Sequence, residues 1–237
     1  MQPKEKRPRV PSIDDLREGT VTSVRAQAKD PERVSVFLDD AFAFGLAADI
    51  AVAEGLKKGQ RLTPEAQLAL LQKEEVIRAR QAALDYVSRG STTTTEVRRS
   101  LARRGFSEHA ADDAIAQMER YGYLDDAAYA SAYARGRAAS QGHGPQRLRA
   151  DLIKKGVPRD AIERALEELD ADALSDAAER LALQRWRALH READVRKRKK
   201  KTTDFLLRRG FSYDQVREAV ARAVEADPPE GDDEPWA

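Results

Sequence analysis

The chain of 237 residues carries 42 Lys and Arg against 41 Asp and Glu, a net charge of +1, with 35% charged residues and no cysteine. Charge well above the roughly 25% of an average soluble domain, with a mean hydropathy of −0.68, means that apolar positions are used sparingly, as on amphipathic helices, and one large core is not expected. The lack of cysteine excludes disulfides, thiolate zinc sites and a cysteine nucleophile, and fits a reducing cytosol.

The longest uncharged apolar run, Ala41 to Ala48, is closed by Asp40 and Asp49, far short of the about 20 residues of a membrane span. No apolar stretch follows the basic start Met1 to Arg9, so a secretory signal is not expected. A cytoplasmic protein without membrane contact is the resulting expectation. Charge is also segregated: Arg196 to Lys201 are six consecutive bases, whereas six acids and no base follow from Glu225 onward. Such asymmetry points to nucleic acid or an acidic partner.

In chain order, residues 1–18 read as a disordered, Pro-containing basic leader. Residues 19–62 read as a small β segment: Val21, Val24, Val34, Val36, Leu38, Phe42 and Phe44 alternate with other residues, broken at Asp30-Pro31-Glu32 and Asp39-Asp40, as in a three-stranded meander. A short helical piece over Ala47 to Glu54 follows, then a turn over Gly55 to Gly59, then Thr63-Pro64, an N-cap with proline at the first helical position. From there the pattern is helical, with long segments over Pro64 to Ser88, Asp126 to Ser140 and Asp172 to His190. Residues 227–237 read as an acidic disordered tail.

An internal repeat organises the helical part. The triplets Gly105-Phe106-Ser107, Gly156-Val157-Pro158 and Gly210-Phe211-Ser212 recur at offsets of 51 and 54 residues. Leu101, Leu152 and Leu206 coincide before the glycine. After it come the columns Ala111/Ile162/Val216, Ala114/Ala165/Ala219, Ile115/Leu166/Val220 and Met118/Leu169/Ala223. That i, i+3, i+4, i+7 spacing is the buried stripe of a helix. Glycine stands where a residue of positive φ ends one helix, and Ser or Pro where the next begins, with Ser212 and Gln215 spaced for a capping box. Three units of three helices are expected, over 63–122, 123–170 and 171–226. Each is too small to bury much surface alone, so the units should stack into an elongated array.

The stretches Gly122-Tyr-Leu-Asp-Asp-Ala-Ala-Tyr-Ala-Ser-Ala-Tyr-Ala-Arg-Gly-Arg137 and Gly144-Pro-Gln-Arg-Leu-Arg-Ala-Asp-Leu-Ile-Lys-Lys-Gly-Val157 resemble the central repeat of the bacterial RecX family, regulators of the RecA recombinase. The resemblance covers roughly Thr20 to Ala226 and includes Ala41-Phe-Ala-Phe-Gly45 and Gly55-Leu-Lys-Lys-Gly59. It implies a mainly α protein with three tandem three-helix repeats behind a small β-meander or hairpin. It implies a non-enzymatic modulator, mainly an inhibitor, lying along the groove of the RecA–DNA filament and restraining filament extension, ATPase, strand exchange and coprotease activity. The implied partners are RecA and its DNA filament, with single- and double-stranded DNA bound with little sequence preference by a protein expected to be a monomer. The implied context is DNA repair, homologous recombination and the SOS response. The basic leader, the acidic tail and the dense basic run have no role in what the resemblance implies.

The chemistry that residues alone suggest is electrostatic. The second helix of each unit is basic: Glu96 to Arg104 and Gln146 to Lys155 each hold four bases and one acid, and Asp194 to Arg209 eight and two. The candidate DNA- or filament-binding residues are therefore Arg98, Arg99, Arg103 and Arg104 in the first unit and Arg147, Arg149, Lys154 and Lys155 in the second. In the third they are Arg196, Lys197, Arg198, Lys199, Lys200, Lys201, Arg208 and Arg209. Cations in a last helical turn are stabilised by the macrodipole without any ligand, so the pairs before each glycine stand under both readings. The third helices of units one and two are acidic, with four acids against one base over Glu108 to Arg120 and five against two over Arg159 to Asp170. That disfavours the alternative of a tandem helix-turn-helix protein acting on DNA without RecA, whose helix after the turn enters the major groove.

Tyr129, Tyr133, Tyr121, Tyr123, Trp186 and Phe205 read as packing residues rather than a stacking platform, and Asp125 as an N-cap. His109, His143 and His190 are isolated, and neither a zinc-protease nor a phosphate-loop motif occurs, so no catalytic residue, metal or cofactor is expected.

Overall fold

The computed structural model describes residues 10–228. The chain divides into two compact units, one ending at Leu124 and the other beginning at Asp125.

In the first unit three antiparallel strands, β1 (Gly19–Gln27), β2 (Asp30–Leu38) and β3 (Ala41–Ala47), form the expected meander. A two-residue strand that the sequence pattern does not reveal, β4 (Arg61–Leu62), pairs with β1 and gives the order β3-β2-β1-β4. Asp39 and Asp40 both have positive φ, as a two-residue connection twisted to match its strands requires. Asp30-Pro31-Glu32 lies within β2 instead of forming a turn; the irregular register beside Gln27 and Asp30 accommodates a proline that cannot donate to the ladder.

Helix α1 (Ala48–Ala53) leads through β4 to α2 (Pro64–Val87), whose N-cap Thr63 accepts a hydrogen bond from the Ala66 N–H at 3.3 Å. Helices α3 (Thr94–Arg103) and α4 (Glu108–Arg120) complete the first repeat. Two buried carboxylates of α2 tie these layers together. Glu74 accepts from the Ala47 N–H at 2.7 Å and pairs with Arg33 at 2.6 Å, joining α2 to the sheet. Glu75 accepts from the Ser107 N–H at 2.9 Å and from the Ser107 hydroxyl at 2.6 Å, fixing the start of α4. Part of the predicted disordered leader is ordered: Ile13–Asp15 form one 3₁₀ turn, and Gln67 donates to the Arg17 carbonyl at 2.6 Å. Residues 1–9 of that leader lie outside the described residues.

The second unit holds two repeats, α5 (Asp126–Gln141), α6 (Pro145–Lys154) and α7 (Arg159–Glu167), then α8 (Ala171–Ala188), α9 (Val195–Arg209) and α10 (Tyr213–Ala226). Asp125 caps α5, accepting from the Ala128 N–H at 2.9 Å, and Ser212 and Gln215 close the expected capping box. Each repeat, and the sheet with α1, has its own apolar cluster, as a charged chain of short amphipathic helices requires. The repeat columns line these cores, with Leu166 and Leu169 half-buried and packed against theirs. Gly105, Gly156 and Gly210 all have positive φ, so each second helix ends where L side chains are strained.

Candidate nucleic-acid interface

The basic second helices do not present all their charge to solvent. Arg98 of α3 pairs with Asp112 of α4, and 51 residues on Arg149 of α6 makes a bidentate pair with Glu163 of α7 at 2.9 and 2.6 Å. The same pair thus recurs in two repeats. Arg149 rises and Glu163 falls from their ordinary pKa values, chiefly through their shared hydrogen bond. Asp113 is likewise held low by Arg80, which donates to it at 2.5 and 3.0 Å. Much of the acidity of α4 and α7 therefore balances arginines of their own repeats. At the 54-residue offset, the third repeat has Thr203 and Arg217 in place of arginine and carboxylate. Its second helix loses that neutralising partner.

Among the described residues, Arg99 and Arg103 on α3 and Arg104 at its C-cap are exposed and make no ion pair, while Arg98 is engaged. On α6, Arg147 pairs with Asp151 at 3.2 Å and Arg149 with Glu163, and the Lys155 ammonium lies 5.5 and 5.8 Å from the ring centres of Tyr129 and Tyr133. Lys154 is exposed and has no partner among the described residues.

Helix α9 sorts its bases by its own geometry. At 3.6 residues per turn, Val195, Arg198, Thr202, Leu206 and Arg209 share one side, and Arg198, Thr202 and Leu206 are buried. Lys197 and Lys201 flank that side and pair with Asp194 at 3.7 Å and Glu192 at 2.5 Å; Lys201 holds the Glu192 carboxyl below its ordinary range. Arg196, Lys199 and Lys200, spaced i, i+3, i+4, form a row on the opposite side, exposed and without a partner among the described residues. Arg208 is exposed and unpaired in the same sense, whereas Arg209 donates to the Gln141 carbonyl and lies over the Phe205 ring at 5.1 Å.

Arg198 corrects the sequence-based assignment. It is 6% exposed, with its guanidinium 3.8 Å above the Trp186 ring centre. Its Nε donates to the Trp186 carbonyl at 2.9 Å and its Nη2 to Asp227 at 3.0 Å, while Trp186 Nε1 donates to the Asp227 carbonyl at 2.8 Å. A residue so enclosed cannot reach a phosphate; it locks α8, α9 and the end of α10 together. The apolar spacing through Val195, Thr202 and Leu206 already marks position 198 as inward, a signal that counting six consecutive bases conceals. Asp227, assigned to the disordered tail, is held in this clasp; residues 229–237 of that tail lie outside the described residues.

The second helices of repeats two and three meet end to end. The Gly144 N–H donates to the Arg209 carbonyl at 2.8 Å and the Gln146 N–H to the Gly210 carbonyl at 3.0 Å, so unpaired donors opening α6 satisfy acceptors closing α9. A Cβ on Gly144 would stand 2.5 Å from the Gly210 carbonyl oxygen, and one on Gly210 would collide with the Arg147 backbone. His143, beside this joint, has its pKa lowered by burial and by Arg147, Arg209 and Arg137, against an opposing effect of Asp151.

The aromatic residues divide. Trp186 is fully buried, and Tyr129 and Tyr133 stack at 6.0 Å. Tyr121 and Tyr123, expected to pack inside, are 61% and 56% exposed. Among the described residues, no cluster of His, Asp or Glu is placed to hold a metal, and no helix is long and apolar enough to cross a membrane.

Four family models match the chain: the N-terminal domain of regulatory protein RecX over residues 19–63, and the first, second and third RecX three-helix domains over 79–118, 125–166 and 173–220. The regulatory protein RecX of Clostridium botulinum (strain Eklund 17B / Type B) is 32% identical over 205 residues, covering 86% of this chain and 96% of that protein. That of Leuconostoc mesenteroides is 31% identical, covering 90% and 78%. A crystal structure of regulatory protein RecX superposes with a TM-score of 0.70 at 25% identity, covering 86% of this chain and 99% of the other. The repeated three-helix units, the N-terminal sheet and these similarities together show that the chain belongs to the RecX family of regulatory proteins.

Proposed function

We propose that this protein restrains the RecA recombinase by lying along the RecA–DNA filament, limiting filament extension, ATPase, strand exchange and coprotease activity in the cytoplasm. It acts as a monomer and catalyses no reaction. The observation that carries the DNA part is the unpaired row Arg196, Lys199 and Lys200 with Arg208, in the repeat whose second helix lacks the neutralising carboxylate. Such a row suits phosphate oxygens through charge and counterion release, with no base readout required. Lys154 is a further exposed cation of the second unit, and Arg99, Arg103 and Arg104 are exposed cations of the first. Arg98, Arg147, Arg149, Lys155, Lys197, Lys201 and Arg209 contribute to the field while bound to neighbours. A tandem helix-turn-helix reader of DNA sequence has less support, because acids of α4 and α7 face arginines of their own repeats.

The test is the RecA ATPase rate on single-stranded DNA, titrated with this protein at several DNA concentrations. Inhibition well below equimolar RecA that added DNA does not relieve supports filament binding. Inhibition abolished by added DNA means competition for the strand, and no effect on RecA refutes the proposal.

A further inference from the structure

The N-terminal sheet turns one face to its core. Val21, Val36, Leu38, Phe44 and Leu46 point into the cluster shared with α1 and α2, and Val24 and Val34 pack beside them. Side chains alternate between the two faces of a strand. Ser23 and Arg25 of β1 therefore stand on the opposite face, across from Phe37 and Ser35 of β2.

Phe42 and Phe44 are two residues apart, and unbroken alternation would bury both rings. A register shift separates them: Phe44 opposes Val36, but Phe42 opposes Phe37, so one residue of β3 is left over and the Phe42 ring turns outward. Phe44 is 7% exposed and Phe42 61%. A second shift on β1, between Val21 and Ser23, leaves Thr22 outside the ladder on the other side of Phe37. The Thr22 hydroxyl donates to the Phe37 carbonyl at 3.3 Å and accepts from the Asp40 N–H at 3.0 Å, pinning this end of the hairpin. Two irregularities thus hold one aromatic pair away from the core.

The Phe37 and Phe42 rings meet edge to face with centres 5.9 Å apart, and the Arg25 guanidinium lies 5.1 Å from the Phe37 ring centre. Phe42 is on the edge strand, so most of its ring stays open. Arg33 is held by Glu74 at 2.6 Å, whereas Arg25 is exposed and makes no ion pair among the described residues. Arg25 opposes Ser35 while Leu38 and Ala41 adjoin the Asp39-Asp40 turn, so the cation stands on the side of the rings away from those acids.

An open ring beside an uncommitted cation suits a nucleotide, because every base has a face that stacks on an aromatic side chain and a guanidinium attracts its phosphate. Two rings of at most about 250 Å² each fall short of the about 1,000 Å² that a specific protein interface buries. We propose that Phe42 and Phe37, with Arg25, form a stacking platform for unpaired bases, a contact with single-stranded DNA that lies wholly within the first unit. DNA as the occupant rests on the function proposed above; the outward-turned aromatic pair does not. Stacking releases no counterions, so this contact persists at salt concentrations that weaken the row on α9.

The experiment uses the full chain and two fluorescent strands of equal length and charge, oligo(dT) and an abasic strand, over a salt series. The intact protein is expected to bind oligo(dT) more tightly. Phe42→Leu, apolar but not aromatic, should weaken oligo(dT) binding at least fivefold, leave the abasic strand unchanged and keep the salt slope, and Phe42→Trp should restore the preference. Arg25→Gln should weaken both strands and flatten the slope by about 0.7. Lys199→Ala with Lys200→Ala, which tests the row on α9 separately, should weaken both strands and leave the preference for oligo(dT) intact. Equal oligo(dT) affinities for the intact protein and Phe42→Leu overturn the platform while leaving the α9 reading in place. Unchanged affinities with weaker inhibition of the RecA ATPase by Phe42→Leu assign the face to a protein partner and also overturn it. An intact protein that binds neither strand refutes the DNA part of the proposed function, and the platform with it.

Discussion

Replacing Arg198 tests whether the basic run of α9 divides into a structural cation and binding cations. In Arg198→Met the aliphatic stem is largely kept, but three interactions of the guanidinium disappear. Its stacking on the fully buried Trp186 ring is worth about 2 kcal/mol in a desolvated setting. Its charged hydrogen bond to the Trp186 carbonyl contributes about 1.5 to 3 kcal/mol. The ion pair with Asp227, whose side chain is 38% exposed, adds only about 0.5 kcal/mol after solvent screening. Because one group makes all three, they overlap, and a net loss of about 3 kcal/mol is expected. For a unit of this size that lowers Tm by about 12 °C or more. Lys199→Ala with Lys200→Ala should leave the melt unchanged and instead weaken oligo(dT) binding, flattening the slope of log affinity against log salt by about 0.7 for each phosphate no longer neutralised. The assay is thermal melting by circular dichroism alongside fluorescence anisotropy over a salt series. An Arg198→Met protein that melts like the wild type and binds DNA as weakly as the double lysine variant would refute the division.

Three further outcomes follow from the geometry. Gly210→Ala should destabilise the second unit by more than about 2 kcal/mol, from its positive φ and its collision with the Arg147 backbone, whereas Gly105→Ala, also at positive φ but in open space, should lose only about 1 kcal/mol in urea titration; equal effects would show that the α6–α9 joint is not tight. Glu75→Ala should lose about 2 to 3 kcal/mol and speed hydrogen exchange at the start of α4, because the Ser107 N–H and hydroxyl lose their acceptor; unchanged exchange there would contradict that role. His143 titrates below its ordinary value of 6.5 in the folded chain. The unfolded chain therefore gains a proton first, stability contributed by neutral His143 is fully present above the unfolded value, and it declines as pH falls from about 7 towards the folded value. His143→Gln should flatten that decline in chemical denaturation between pH 7 and 5.5, and an identical slope would remove His143 as its source.

Local rules made much of this architecture legible. The i, i+3, i+4, i+7 columns, the glycines at positive φ and the caps Thr63, Asp125 and Ser212 depend on neighbours within one or two turns, and helices and their ends appear where those signals place them. The basic helices were legible as counts of charge but not as a surface, because a count does not say what each base faces. Arg149 looks free in the sequence and is held by a carboxylate 14 residues away; Arg198 lies within a polybasic run and is buried under Trp186 and Asp227.

The sequence by itself therefore determined the repeat, the mainly helical class and the segregation of charge, since periodicity and composition are properties of the chain. Only the tertiary structure decided which cations are spent on neighbours and which stay open. It also revealed the two-residue strand β4, the buried Glu74 and Glu75, and the meeting of Gly144 with Gly210. These depend on residues far apart in the chain arriving at the same place. A hydrogen bond needs its partners within about 3 Å, and screened charges act over about 8 Å at physiological salt, so availability for a phosphate is set by three-dimensional distance and burial, which no local pattern encodes.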